Sequence, residues 1–285
     1  MRARIALIGK GKWGANVERT LKELPTAELA HVTGRAWHGL LSRTDLDGVV
    51  ISTPPSSHAE IALAFIEKGL PVFIEKPMTL DSQSAQKIVD AGAARDSPVQ
   101  VGHVHLYAPA FEAFTAALPA LGRLISLSGE ESHVGPVRSD YSVLWDAMPH
   151  DLSMMISIAG IPEAARAHGA DAAPGTRLFG RGAMELRFPG GVTGTVRSDW
   201  FGPVKKRFFK AVCENGTAVY DDRAPEHKVV VTDVAGVETY PSYSARQPLA
   251  CELAAFVDTV QNGTKPRSDA ALGCAVVRIL EQAGA

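Results

Sequence analysis

Arg4-Ile5-Ala6-Leu7-Ile8-Gly9-Lys10-Gly11-Lys12-Trp13-Gly14 decides the fold. Ile5 to Ile8 form an unbroken apolar run, the mark of a strand buried on both faces in a parallel sheet. After the glycines, Val17, Leu21 and Leu24 recur at helical spacing. Strand, glycine turn and helix in that order give G-x-G-x-x-G its meaning. Gly9 permits the tight turn, Gly11 lets backbone approach a pyrophosphate, and Gly14 lets helix and strand pack closely. The helix N-terminus then offers free N–H groups and partial positive charge to phosphates. The competing reading is a tight strand–helix turn with no ligand. The stretch does not fit G-x-x-x-x-G-K-[ST], which argues against a nucleoside triphosphatase.

Working outward, the alternation continues. Leu29 to Thr33 reads as a second strand, Val49 to Thr53 as a third, Pro71 to Ile74 as a fourth and Val99 to Gly102 as a fifth. Ser57 and Glu60 have capping-box spacing, and Asp81 is placed to cap a helix through about Ala94. Strand–helix alternation predicts a doubly wound parallel sheet. The second strand lacks the Asp or Glu that usually holds the ribose hydroxyls. Its end reads His31-Val32-Thr33-Gly34-Arg35; Arg35 is either a 2′-phosphate contact or a solvated loop residue. Residues 36 to 47 have room for one short helix only, so one βα unit is missing and the sheet is shortened.

Glu75-Lys76-Pro77 closes the fourth strand at its carboxyl end, where open α/β sheets bind ligands. Past Gly102 the pattern changes. Pro109 opens a helix. Alternating runs follow at 124–128, 184–188, 192–196, 208–212, 218–220 and 229–231, separated by turn signals such as Pro189-Gly190-Gly191 and Asn215-Gly216. This predicts an α+β domain with a mainly antiparallel sheet. The expected division is 1–103 for a dinucleotide-binding Rossmann domain and 104–285 for a substrate-binding and dimerisation domain. Asp146 and His150 lie four residues apart, on one face if the segment is helical. Pro149 requires that helix to start near it or kink there.

Composition excludes several classes. A net charge of -2 argues against a nucleic-acid footprint. Lys205-Lys206-Arg207 reads as the exposed approach to a strand. Three scattered cysteines without a C-x-x-C pair argue against a disulfide framework or structural zinc, suit a reducing cytosol, and predict no metal. No apolar run reaches membrane-spanning length. Met1 to Ile8 is too short for a signal peptide and already reads as strand. The alanine-rich stretch from Ala164 to Pro174 is interrupted and does not read as disordered.

The glycine turn, Ser52-Thr53-Pro54-Pro55 with His58, Glu75-Lys76-Pro77 and Asp146-x-x-x-His150-Asp151 together resemble the glucose–fructose oxidoreductase / inositol dehydrogenase family (Gfo/Idh/MocA). Trp145-Asp146-x-x-Pro149-His150-Asp151 and Val219-Tyr220-Asp221-Asp222 look like the branch containing UDP-N-acetylglucosamine-type sugar dehydrogenases. The resemblance implies an N-terminal Rossmann domain, a C-terminal sheet domain and a cis Lys76–Pro77 peptide. It implies Lys76, Asp146 and His150 as catalytic residues. It implies a cofactor site of Gly9, Gly11, Lys12, Trp13, Gly14, Arg35, Thr53, Pro54, His58 and Glu75. NAD and NADP both remain open: Arg35 leans to NADP, the branch to NAD. The implied partners are a sugar, sugar-nucleotide or cyclitol substrate and a second copy of the chain, in the cytoplasm. The rival is a non-catalytic homologue that binds dinucleotide or sugar through a degenerate site.

Overall fold

A computed structural model describes residues 1–132, 140–173 and 175–285. Pro174, which closes the alanine-rich stretch, lies outside them. Two units divide the chain: Met1–Tyr107 with Arg246–Arg278, and Ala108–Ala245 with Ile279–Ala285.

The first unit holds β1 (Ala3–Ile8), α1 (Lys12–Glu23), β2 (Ala27–Thr33), β3 (Gly48–Ile51), α2 (His58–Ile66), β4 (Val72–Glu75), α3 (Ser82–Arg95) and β5 (Val99–Gly102). The strands run parallel in the order β2-β1-β3-β4-β5. Between β2 and β3 the chain makes only a 3₁₀ turn, Trp37–Ser42, so the missing βα unit is real. Asp81 caps α3 as expected, its Oδ1 accepting from the Ser84 N–H at 2.7 Å. The Ser57–Glu60 capping box does not form. Ser57 Oγ bonds Thr53 Oγ1 and the Pro54 carbonyl instead, both at 2.8 Å, and leaves α2 without a side-chain cap.

Residues Arg246–Arg278 return to this unit, which corrects the single cut at 103/104. They carry α6 (Pro248–Asn262) and most of α7 (Ala270–Gln282), the last helices of the chain. The reason is apolar cover. Leu253, Phe256 and Val257 of α6 join Leu7, Val50 and Phe73 of the sheet and Val17 and Leu21 of α1 in one core. Those strand residues would otherwise face water, at roughly 1.5–3 kcal/mol for each large side chain.

The second unit begins with α4 (Pro109–Ala117) and β6 (Leu124–Ser132), followed by α5 (Val143–Ala159). The remaining strands are β7 (Ala164–Ala172), β8 (Phe179–Arg187), β9 (Thr193–Asp199), β10 (Lys206–Cys213), β11 (Gly216–Asp221), β12 (Val229–Asp233) and β13 (Glu238–Thr239). The eight-stranded sheet has the order β13-β12-β11-β10-β6-β9-β8-β7 and is antiparallel except for β6–β9. α5 does not start at Pro149; it begins six residues earlier and runs through it. Leu144, Met148, Asp151 and Met155 share one face of this helix by their spacing. Three strands that are neighbours in the sheet meet that face with glycines. A Cβ at Gly182 of β8 would lie 2.4 Å from Leu144 Cδ2. One at Gly194 of β9 would lie 3.2 Å from Met155 Sδ, and one at Gly129 of β6 would lie 2.4 Å from Asp151 Oδ1. The helix therefore packs closer to the sheet than side chains would allow.

Candidate active site

The glycine turn brings three backbone segments into close approach. Gly9 has φ +132°, and a Cβ there would meet the Ser52 carbonyl oxygen at 2.2 Å. A Cβ at Gly14 would meet the Gly9 carbonyl oxygen at 2.2 Å. Both glycines are therefore demanded by the fold itself. Gly11 is not: a Cβ there would meet nothing within 4 Å. Gly11 is also the N-cap of α1 and provides no side-chain cap, so the first N–H groups of the helix face outward without one. A pyrophosphate fits that cradle.

Lys12 and Trp13 are exposed beside the turn. The Gly9 N–H donates to the Thr33 carbonyl at 2.9 Å, bringing the end of β2 beside it. Arg35 lies two residues further on and is exposed. Thr53 is half-buried and Pro54 exposed at the carboxyl end of β3. His58 is a different matter. It is fully buried; Nε2 faces the Thr53 carbonyl at 2.9 Å and Nδ1 the Pro77 carbonyl at 3.1 Å. Burial lowers its proton affinity, and the carbonyls oppose that. The expected cofactor contact is thus a strut tying the β3 loop to the loop after β4.

The Lys76–Pro77 peptide is cis. Trp13 Nε1 donates to Glu75 Oε1, joining the glycine turn to the end of β4. Burial raises the Glu75 carboxyl to about 7, against lowering by the Trp13 N–H and the Lys76 charge. Glu252 of α6 is also fully buried, and neither of its side-chain oxygens has a hydrogen-bond partner among the described residues. Burial, and then the neighbouring Glu75, hold it well above the ordinary carboxyl range. His103 follows β5, with both ring nitrogens buried and lacking a hydrogen-bond partner among the described residues. Burial and the Lys76 charge lower it to about 3, so it is neutral. Sequence reading passed over Glu252 and His103. The only signal for His103 was its position just past a strand end.

Asp146 and His150 both lie on α5, in the second unit. Asp146 is half-buried, and Trp200 Nε1 donates to its Oδ2 at 3.3 Å. His150 is 8% exposed, and its backbone carbonyl accepts from Ser153 Oγ at 2.8 Å. Arg207 departs from the exposed approach expected of Lys205-Lys206-Arg207. It is half-buried, and Glu131, directly opposite on β6, forms an ion pair with it.

Two family models match the chain. One, described as an oxidoreductase family with an NAD-binding Rossmann fold, matches residues 35–103. The other, a Gfo/Idh/MocA C-terminal domain, matches residues 121–219. A crystal structure of an oxidoreductase candidate from Magnetospirillum magnetotacticum MS-1 superposes with TM-score 0.89 and 31% identity, covering 99% of each chain. Inositol 2-dehydrogenase 4 of Saccharopolyspora erythraea is 33% identical over 117 residues, which cover 39% of this chain and 35% of that protein. UDP-N-acetylglucosamine 3-dehydrogenase of Acidithiobacillus ferrooxidans is 32% identical over 117 residues, covering 41% and 37%. The matched stretch thus spans little more than a third of either curated relative. The fold and the matches place the chain in an oxidoreductase family with an NAD-binding Rossmann fold. Specifically, the chain belongs to the Gfo/Idh/MocA family.

Proposed function

We propose that the protein is a nicotinamide-dinucleotide-dependent dehydrogenase or reductase acting on a hydroxyl of a sugar, sugar nucleotide or cyclitol. The observation that carries this reading is the open cradle at Gly11, tied through Trp13 and Glu75 to Lys76. The inositol and UDP-N-acetylglucosamine dehydrogenases among the relatives support the substrate class. The dinucleotide, when bound, supplies or accepts the hydride. The N–H groups that open α1 hold its pyrophosphate. Lys76 donates a hydrogen bond to the substrate oxygen and stabilises developing alkoxide charge. His150 takes the hydroxyl proton, and Asp146 orients substrate or histidine. The shared family motifs draw Lys76, Asp146 and His150 into one reaction. The substrate-binding and dimerisation roles of the second unit belong to the same proposal.

The test is a nicotinamide-absorbance assay with NAD and NADP against inositols, UDP-N-acetylglucosamine and simple sugars. Turnover with any of them supports the reading. Dinucleotide binding by calorimetry without turnover across the panel favours the non-catalytic rival, which the missing βα unit recommends. Arg35→Ala decides the cofactor: selective loss of NADP affinity supports a 2′-phosphate contact, and unchanged NADP binding removes it. Gly11→Ala is expected to leave the melting temperature unchanged while weakening dinucleotide binding. Unimpaired binding would remove the cradle from the mechanism.

A further inference from the structure

Proline at 149 deprives α5 of one backbone N–H, so the Trp145 carbonyl loses its helical donor one turn before His150. Side-chain anchors flank that weak turn. Trp145 Nε1 donates to the Ala285 carbonyl at 3.0 Å, and Trp200 holds Asp146. The anchor beyond His150 is Asp151. It is 4% exposed and presses against Gly129, where a Cβ would lie 2.4 Å from Oδ1 and 2.5 Å from Cγ. Two charged groups act on it, Glu131 of β6 and Arg207 of β10, and Ser198 of β9 pairs with Glu131 across the ladder. Arg207 is already engaged by Glu131 and also feels Asp222. Asp151 Oδ2 and Ser198 Oγ are buried and lack a hydrogen-bond partner among the described residues.

We propose that Asp151 is a positioning residue for His150, seated against Gly129 so that the proline-weakened turn of α5 sits at a fixed depth on the sheet. Burial first, then Glu131, push its carboxyl well above the ordinary 3.8, with Arg207 only partly opposing. An ionised Asp151 would place a second carboxylate beside Glu131 in a site with little water, a repulsion that lifts the helix. The role of His150 rests on the proposed function; its placement by Asp151 does not.

The first arm is therefore read without substrate. The His150 ring resonance is followed by ¹H–¹³C NMR on histidine-labelled protein and assigned by its loss in His150→Gln. Asp151→Asn, which keeps the shape of the side chain against Gly129, is expected to leave the resonance in place. Asp151→Ala and Gly129→Ala are expected to move it alike, with Asp151→Ser substituting if the alanine variant does not fold. The double variant Gly129→Ala/Asp151→Ala should shift no further than either single, since both break one contact. In the activity arm, Asp151→Ala lowers kcat about 10²-fold, moves KM less, and is matched by Gly129→Ala, while Asp151→Asn retains turnover. An unmoved resonance in Asp151→Ala, or full additivity in the double variant, overturns the proposal. An enzyme inactive on every substrate whose resonance still follows these variants would overturn the functional reading alone.

Discussion

Glu75 and Asp151 are the same device placed against two sheets, one at the end of a strand and one on a helix. Each is a buried carboxyl lying where a glycine on an adjacent strand makes room: a Cβ at Gly102 would come within 2.8 Å of Glu75 Oε2, one at Gly129 within 2.4 Å of Asp151 Oδ1. Burial raises both. Their neighbours then separate them. Glu75 has an indole N–H and the Lys76 charge, and comes to about 7. Asp151 has Glu131 for a neighbour, and its nearest cation is already paired. The glycine fixes where a carboxyl sits. The donors around it decide how far burial is opposed.

The Trp13 N–H contributes first to that difference and the Lys76 charge next. Lys76→Ala is expected to lower turnover about 10²–10³-fold by removing an oxyanion donor, while raising Glu75 further. Full turnover in the variant would take Lys76 out of the chemistry. Next come the glycines. Gly129→Ala should cost about 1–3 kcal/mol in urea unfolding, as overpacking does. Gly102→Ala should cost less, because the first atom met is the end of the longer Glu75 side chain. The reverse order would break the parallel between the two sites.

The smallest expected effect is a shape. Glu75 is raised from 4.5, so the folded state holds its proton more tightly than the unfolded chain. Its contribution to stability is full below pH 4.5, declines as pH rises, and is gone once pH passes about 7. Trp13→Phe removes a donor that lowers Glu75, so the decline should extend above that value. Stability curves against pH that superimpose for the variant and wild type would show that the indole contact does not govern Glu75.

What sequence revealed followed what is local. β1 and β3–β5 announced themselves as short apolar runs, and Asp81 capped the helix it preceded. The shortened sheet was legible because residues 36–47 are too few for a helix, a strand and a helix. β7 escaped notice. Its Ala-Ala-Arg-Ala-His-Gly-Ala-Asp-Ala is largely exposed at the sheet edge and carries no apolar alternation. Ser57 and Glu60 had the right spacing, but nearer partners took the hydroxyl. Arg207 looked solvent-facing within a charge run because its partner Glu131 is 76 residues away. Glu252 left no trace, since one acid in an apolar helix looks the same whether it faces water or another carboxyl. At the candidate site the motifs were legible as motifs, but the burial of His58 was not, because its partners are backbone carbonyls of two loops.

The return of α6 to the first sheet has a consequence for synthesis. The five parallel strands leave the ribosome long before the helix that covers Leu7, Val50 and Phe73. Through that interval they present a greasy, unlidded surface of the kind chaperones bind. Expressed alone, the stretch Met1–Tyr107 should precipitate, and supplying Arg246–Arg278 in trans or by circular permutation should rescue it. The Rossmann unit of this molecule is thus completed by a helix made only after the strands of the second unit.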